Sequence, residues 1–289
     1  MGSQGSIKLG DFIKQALAED RCLEDITTQS LNYGNLKTKA VIKAKEGAVC
    51  AGMNVAKEVF KLIDKKLKFK QAIRDGDSFN AGDILAKISG SVSSILSAER
   101  TVLNFLSKLS GVATLTKSFV AKVKPYRTRI MDTRKTTPGF RLLEKYAVRM
   151  GGGYNHRYDL SEAVLIKDNH IAALRKKKKG FNLGEMITQI RKKSKDKEIE
   201  IEVDSVADFK QVVGHSPDII MLDNMNISQI RKCVKLRNKI NKRIKLEASG
   251  NVNLDNVRIL ARLKVDRISI GKLTHSPKAI DISLEFIVR

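Results

Sequence analysis

The 289-residue chain has no tryptophan, only 5% aromatic residues, four prolines and three cysteines. Each shortage excludes something. With so few rings, the stacking platforms of single-strand nucleic-acid binders are hard to find. Cys22, Cys50 and Cys233 are odd in number, far apart and form no C-x-x-C pair. They read as reduced thiols of a cytoplasmic protein, not as a disulfide frame or a zinc site. The four histidines show no H-E-x-x-H spacing. No apolar run approaches the roughly 18 residues that a membrane span needs. The start, Met1-Gly2-Ser3-Gln4-Gly5-Ser6, lacks the apolar stretch of a signal peptide. Gly2 with Ser6 fits the loose myristoylation pattern, a permissive motif that reads here as a flexible leader.

Acidic residues are scarce as well: 31 Asp+Glu stand against 55 Lys+Arg, a net charge of +24. Such a field attracts nucleic acid or steers anionic metabolites. Much of it sits in the run 175–179 (Arg-Lys-Lys-Lys-Lys) and between Arg231 and Lys245, where eight basic residues meet no acidic one. These read as solvated outer faces of helices and a loop. At 42% hydrophobic residues the chain is globular and long enough for a large core or two domains.

Apolar residues at helical spacing predict a helix over 8–19, which Asp25-Ile26-Thr27-Thr28 breaks. Alternation of Ala40, Ile42 and Ala44 with lysines predicts a strand within 38–53. A helix over 54–64 follows, then short strands over 67–90 with turns at Asp75-Gly76-Asp77 and Ala81-Gly82-Asp83. Ile95, Ala98, Val102, Phe105 and Leu109 predict a helix over 94–109, with Arg100 off its apolar stripe. After about residue 116, β-rich runs at 129–131, 163–166, 199–203, 219–222, 244–247 and 268–270 alternate with helix-length segments. That rhythm argues for parallel βα units, and several in succession for a barrel.

Ligands of α/β folds bind at the carboxyl ends of the strands. Here every run ends in polar groups. Arg134, Lys135, His156, Arg157 and Lys167 make a cationic side that suits a polycarboxylate, because guanidinium forks and ammonium charges grip carboxylates. Glu202 and Asp223 make an acidic side, suited to a metal, a sugar hydroxyl or a developing cation. Glu247 closes the fifth run. Ser249, Gly250 and Gly271 offer small residues and backbone N–H groups for a phosphate. Singly, Glu202 reads equally as a salt-bridge arm, Lys167 as a snorkelling side chain and His156 as a turn residue. Gly271-Lys272 is not a P-loop, since the upstream glycine and the following Ser/Thr are missing.

Together these segments resemble the quinolinate phosphoribosyltransferases over nearly the whole chain. The likeness rests on Ala98-Glu99-Arg100, Leu109-Ser110-Gly111, Asp132-Thr133-Arg134-Lys135-Thr136-Thr137-Pro138-Gly139 and Gly152-Gly153-Tyr154-Asn155-His156-Arg157. It continues through Ile166-Lys167-Asp168-Asn169-His170, Glu202-Val203-Asp204, Met221-Leu222-Asp223-Asn224, Leu246-Glu247-Ala248-Ser249-Gly250 and Gly271-Lys272-Leu273-Thr274-His275. The resemblance implies a type II phosphoribosyltransferase of α/β class. An N-terminal α/β sandwich (1–115, joined by 277–289) would precede an incomplete, TIM-like α/β barrel (116–276). It implies transfer of phosphoribose from 5-phosphoribosyl 1-pyrophosphate to quinolinate with Mg²⁺ and loss of CO₂, in NAD biosynthesis, by a homodimer or an assembly of dimers. Arg134, His156, Arg157 and Lys167 would hold the quinolinate carboxylates, and Arg100 would reach the neighbouring subunit's site. Lys135, Glu202 and Asp223 would be catalytic, the last two also serving the metal. Ser249, Gly250, Gly271 and His275 would line the phosphate site. Asn251 and Lys272 depart from the family, which usually has glycine and a small residue there. The rival readings are a same-fold paralogue acting on another acid and a basic nucleic-acid-binding protein.

Overall fold

A computed structural model describes residues 9–177 and 179–287. The polar start with its acylation pattern, and Lys178 of the lysine run, lie outside these residues. In chain order the strands are β1 (Lys37–Ala44), β2 (Ala48–Val49), β3 (Lys68–Gln71), β4 (Ser78–Phe79), β5 (Ile84–Ser91), β6 (Arg129–Met131), β7 (Val164–Ile166), β8 (Ile199–Val203), β9 (Ile219–Asp223), β10 (Lys245–Ser249), β11 (Arg267–Ser269) and β12 (Ile282–Phe286). Their contacts divide the chain into two units. One holds the residues up to 117, 137–152 and those from 276 on; the other holds 118–136 and 153–275.

The first unit carries an antiparallel sheet in the order β12-β1-β5-β3. Alternation in β1 is visible as burial of Ala40, Ile42 and Ala44 between more exposed lysines. β12 closes one edge, with Ala40 opposite Phe286 and Ala44 opposite Ile282. The helix Met53–Ile63 lays Val55, Ala56, Val59 and Phe60 into the core, and the Phe60 ring meets Phe69 of β3 at 5.8 Å. Each such fully buried aromatic or branched side chain contributes roughly 1.5–3 kcal/mol.

Two local readings change. Asp25 does break the first helix, which ends at Glu19, but it also starts another: its carboxylate accepts from Thr27 N (3.0 Å) and Thr28 N (3.2 Å) and caps Ile26–Leu31. The helix expected over 94–109 runs from Val92 to Val123. Its buried stripe continues through Val112, Ala113, Thr116 and Phe119. Gly111 is no stop signal. A Cβ there would lie 2.1 Å from the Lys278 carbonyl oxygen, so glycine lets the returning C-terminal segment touch the helix backbone.

Residues 137–152, which carry the helix Arg141–Met150, group with this first unit. Glu144 anchors them. Its fully buried carboxylate accepts from Thr137 N (3.0 Å) and Thr137 Oγ1 (2.9 Å).

In the second unit all six strands are parallel, in the order β6-β11-β10-β9-β8-β7. The first strand thus lies beside the last, as in a closing barrel. At the other edge of β6 the only pairing among the described residues is the single bridge Met131–Tyr154, so the ring stays incomplete. β8 shows how the strands are built. Ile199, Ile201 and Val203 are buried on one face, and Glu200 and Glu202 share the other. Register extends that second face across the sheet, with Glu202 opposite Met221, Met221 opposite Glu247, and Asp223 opposite Ser249. The outer helices carry the lysines outward, as expected for Arg231, Lys232, Lys235 and Lys239. Arg237 is the exception: it is buried, and its Nη1 donates to Asp266 (2.9 Å) and to the Ile244 carbonyl (2.8 Å).

Candidate functional site

At the carboxyl ends of these strands lies a cleft of about 720 Å³, wholly within the second unit. Such a volume suits a small ligand or a pair of them. Its wall includes Arg134, Lys135, His156, Arg157, Lys167, Glu202, Asp223, Ser249, Gly250, Gly271 and His275. The structure therefore brings eleven of the twelve expected site residues together. Arg100 is not among them. It is exposed on the helix Val92–Val123 in the first unit, beside Asp20, Arg21 and Asp25.

The cationic side is held by loop backbone that two buried carboxylates pin. Asp132, fully buried just after β6, accepts from His156 N (2.8 Å) and Asn155 Nδ2 (2.6 Å). This ties the Gly152–Arg157 segment beside Arg134. Arg157 Nη1 donates to the Ala163 carbonyl (2.9 Å). Burial, and then the like charge of Arg134, lower the Arg157 pKa from its ordinary value. The Nε atoms of both Arg134 and Arg157 are buried and have no hydrogen-bond partner in the protein. Two guanidiniums pushed together with buried donors unsatisfied form a site for an anion. Lys167, exposed at the end of β7, adds a third charge to the same wall.

On the acidic side, Glu202 and Asp223 project from neighbouring strands. Burial raises the Glu202 pKa first, and Asp223 raises it further, while Lys167 opposes them. Asn224 Nδ2 donates to Asp223 (2.7 Å) and holds that carboxylate in place.

The third wall is packed backbone. A Cβ on Gly250 (φ +90°) would lie 2.1 Å from Asn224 Oδ1. A Cβ on Gly271 would meet Lys135 Cδ at 3.0 Å and His275 Nε2 at 3.2 Å. Glycine at both places keeps main-chain groups open to the cleft. Thr274 Oγ1 donates to the Lys135 carbonyl (2.7 Å), joining the loop after β6 to the turn after β11. Asn251 has φ +48°, a left-handed conformation that asparagine tolerates better than most residues, which accounts for its standing where glycine is usual. Lys272 is exposed and lines the cleft.

Two residues lie where the sequence did not place them. Glu247 is not on the rim; it is fully buried beneath Ser249. Glu200, not singled out from the sequence, is 3% exposed and sits two residues deeper on the Glu202 face of β8. Strand alternation was the available signal for Glu200. His156 Nε2 lies 2.9 Å from Glu200 and 3.5 Å from Glu247. Burial, with the nearby Glu200 charge second, pushes the Glu247 carboxyl up to about 8. No helix among the described residues is long and apolar enough to cross a membrane.

Comparison with known proteins agrees with this geometry. The quinolinate phosphoribosyl transferase C-terminal domain model covers residues 112–285, and the N-terminal domain model covers 25–110. The chain is 37% identical over 284 residues to a probable nicotinate-nucleotide pyrophosphorylase [carboxylating] of Bacillus subtilis, covering 96% of this chain and 93% of that protein. It is 40% identical over 291 residues to quinolinate phosphoribosyltransferase [decarboxylating] 1 of Nicotiana glauca, covering 96% and 82%. The solved nicotinate-nucleotide pyrophosphorylase of Ehrlichia chaffeensis superposes with a TM-score of 0.90 at 38% identity, over 97% of this chain and 99% of that one. With both domain models covering the barrel that bears the cleft and the sheet that precedes it, the chain belongs to the quinolinate phosphoribosyl transferase family.

Proposed function

We propose that the protein transfers phosphoribose from 5-phosphoribosyl 1-pyrophosphate to quinolinate, releasing pyrophosphate and CO₂ and yielding nicotinate mononucleotide for NAD synthesis. The observation that carries this reading is the pair of buried Arg134 and Arg157 Nε donors with no acceptor in the protein, on the same wall as Lys167. A pyridine dicarboxylate supplies the oxygens they lack. A monocarboxylic acid would leave part of that charge unanswered, which disfavours both nicotinate and a paralogue's weaker acid.

The acceptor would lie against Arg134, Arg157, Lys167 and the His156 ring, its nitrogen turned to the sugar. Phosphoribosyl pyrophosphate would set its 5′-phosphate against Ser249, Gly250, Gly271 and His275, with Lys135 near the leaving group. The ring nitrogen then attacks the sugar C1 as pyrophosphate departs. Positive charge builds at C1 and the ring oxygen, and the carboxylates of Glu202 and Asp223 stabilise it. Once ribosylated, the ring is an electron sink: the C2–carboxylate bond breaks, CO₂ leaves, and its electron pair stays on the ring until C2 is protonated.

Magnesium fits Glu202 and Asp223. They are two neighbouring acids, the Glu202 pKa being raised by burial and then by Asp223, and this ion takes one or two carboxylates and completes its shell with water and phosphate oxygens. When bound, it neutralises charge on the pyrophosphate. Arg100, exposed and outside its own chain's cleft, fits a role in the site of a second copy, which makes the working form a homodimer or an assembly of dimers. The three free, buried cysteines support a reducing, cytoplasmic location.

The test is a steady-state assay with quinolinate, phosphoribosyl pyrophosphate and Mg²⁺, following nicotinate mononucleotide and CO₂, with nicotinate as the control acceptor. Product from quinolinate alone supports the reading. Turnover with nicotinate, or none with either acid from folded protein, overturns it.

A further inference from the structure

His156 lines the cleft, and both of its ring nitrogens lie close to protein groups. Nδ1 accepts the Arg157 backbone N–H at 2.8 Å, so the ring hydrogen of the neutral imidazole sits on Nε2. Nε2 in turn lies 2.9 Å from a Glu200 oxygen and 3.5 Å from a Glu247 oxygen, close ion-pair contacts that are not aligned as hydrogen bonds, with side chains 4% and 0% exposed. The segment carrying His156 has no helix or strand of its own, and Asp132 and the bridge of Tyr154 to Met131 are among its other anchors. Arg157, which follows directly, lies within electrostatic reach of both Arg134 and Glu200. Two buried acids beneath a pocket for an anion make no sense as ligands of that anion. They make sense as the means of holding repelling cations in one orientation.

We propose that Glu200 and Glu247 are positioning residues for the acceptor: they fix the His156 ring, whose Nδ1 locks the Arg157 main chain and so aims its guanidinium into the cleft. This rests on the assignment of the Arg134 and Arg157 wall to quinolinate. His156 then acts on the acceptor through Arg157 in addition to lining the cleft itself. The chain of contacts is Glu200 and Glu247 to Nε2, and Nδ1 to Arg157 N. It bypasses Glu202, Asp223 and the phosphate wall, so the donor substrate does not depend on it.

The test compares Glu200→Gln, Glu200→Leu, Glu247→Gln and Glu247→Leu with the wild type. Quinolinate binding is measured by calorimetry and KM is measured for each substrate. The leucine variants remove the acceptor oxygen and are expected to weaken quinolinate about tenfold or more, while the KM for phosphoribosyl pyrophosphate stays within about twofold. The glutamine variants keep an oxygen beside Nε2 and are expected to retain most of the affinity. Equal loss for both substrates, or no loss for either, overturns the proposal. Should the leucine variants not fold, nitrogen NMR of the wild type decides, with the His156 signal identified by His156→Asn. The Nε2–H tautomer, protected from exchange, is expected; a ring protonated on Nδ1 and exchanging freely overturns the proposal. The three ligand atoms lie within 4.8 Å of one another. Quinolinate affinity lost on chelation and restored by a divalent transition metal would overturn positioning by contact in favour of a metal centre. A wild type that binds no quinolinate would sink the functional reading itself, a result distinct from unchanged variants.

Discussion

Under the proposed function, Arg134 and Arg157 are the side chains on which acceptor binding should depend most. Each has a buried Nε with no hydrogen-bond partner in the protein. Removing one charge-assisted contact costs about 1.5–3 kcal/mol, so Arg134→Ala or Arg157→Ala is expected to lower kcat/KM for quinolinate roughly 10- to 150-fold while circular dichroism stays unchanged. Glu202 sets a pH dependence. In the proposed reaction its ionised form would stabilise the developing cation, and burial with Asp223 raises its pKa. Activity should therefore fall on the acid side at a pH higher than an ordinary glutamate would give. Asp223→Asn removes the like charge, and the acid limb of whatever activity remains should move to lower pH; a limb that does not move would reassign the titration. Glu247 acts on stability in the opposite sense to a salt-bridged acid. Its carboxyl is raised from 4.5 to about 8, so the folded state holds a proton that the unfolded state has lost. Stability from this group is complete below the unfolded value and declines as pH rises through that window. Glu247→Gln should flatten the decline and melt at a higher temperature than the wild type at pH 9.

Secondary structure was legible where periodicity is strong and misleading where a single residue has a tertiary reason. The six barrel strands stand out because each is a short apolar run with a polar end, and all six form. The helix Val92–Val123 runs on past Leu109, the last residue of the apolar stripe that the sequence shows, and through Gly111. Nothing in the local sequence tells a glycine that ends a helix from one that admits another backbone. The distinction is testable: Gly111→Ala forces a Cβ to within 2.1 Å of the Lys278 carbonyl. Overpacking of this kind costs about 1–3 kcal/mol, which in a chain of this size should lower Tm by roughly 5 °C in a thermal melt. Asn251 illustrates the converse. Its departure from glycine is explained by a backbone angle, φ +48°, that only the folded loop displays.

For the whole molecule the charge of +24 is the dominant property. Both substrates are anions, so the field should speed their encounter, and the effect should fade as salt shortens the Debye length. A rise in KM for both substrates between low and physiological ionic strength, with kcat unchanged, is the expected result. Oligomeric assembly belongs to this scale too. If Arg100 serves a second copy, Arg100→Ala and Glu202→Ala should each be inactive alone, and unfolding and refolding them together should restore part of the turnover through mixed dimers with one intact site. No recovery from a mixture that sedimentation shows to be dimeric would place Arg100 outside the reaction.

The sequence by itself determined the order of elements, the polar rim, the three chemical groups on that rim and the family, because these follow from alternation, spacing and motif. Tertiary structure decided which acids face the cleft and which lie beneath it. Glu200 and Glu247 sit on β8 and β10, with β9 between them. In a flat sheet such strands are about 9.5 Å apart. Only the curvature of the barrel turns both carboxylates onto one histidine, and that histidine comes from a loop between β6 and β7, the two edge strands. Strand order, register and closure are set by packing among distant segments, so no local pattern in the chain could have paired these three residues.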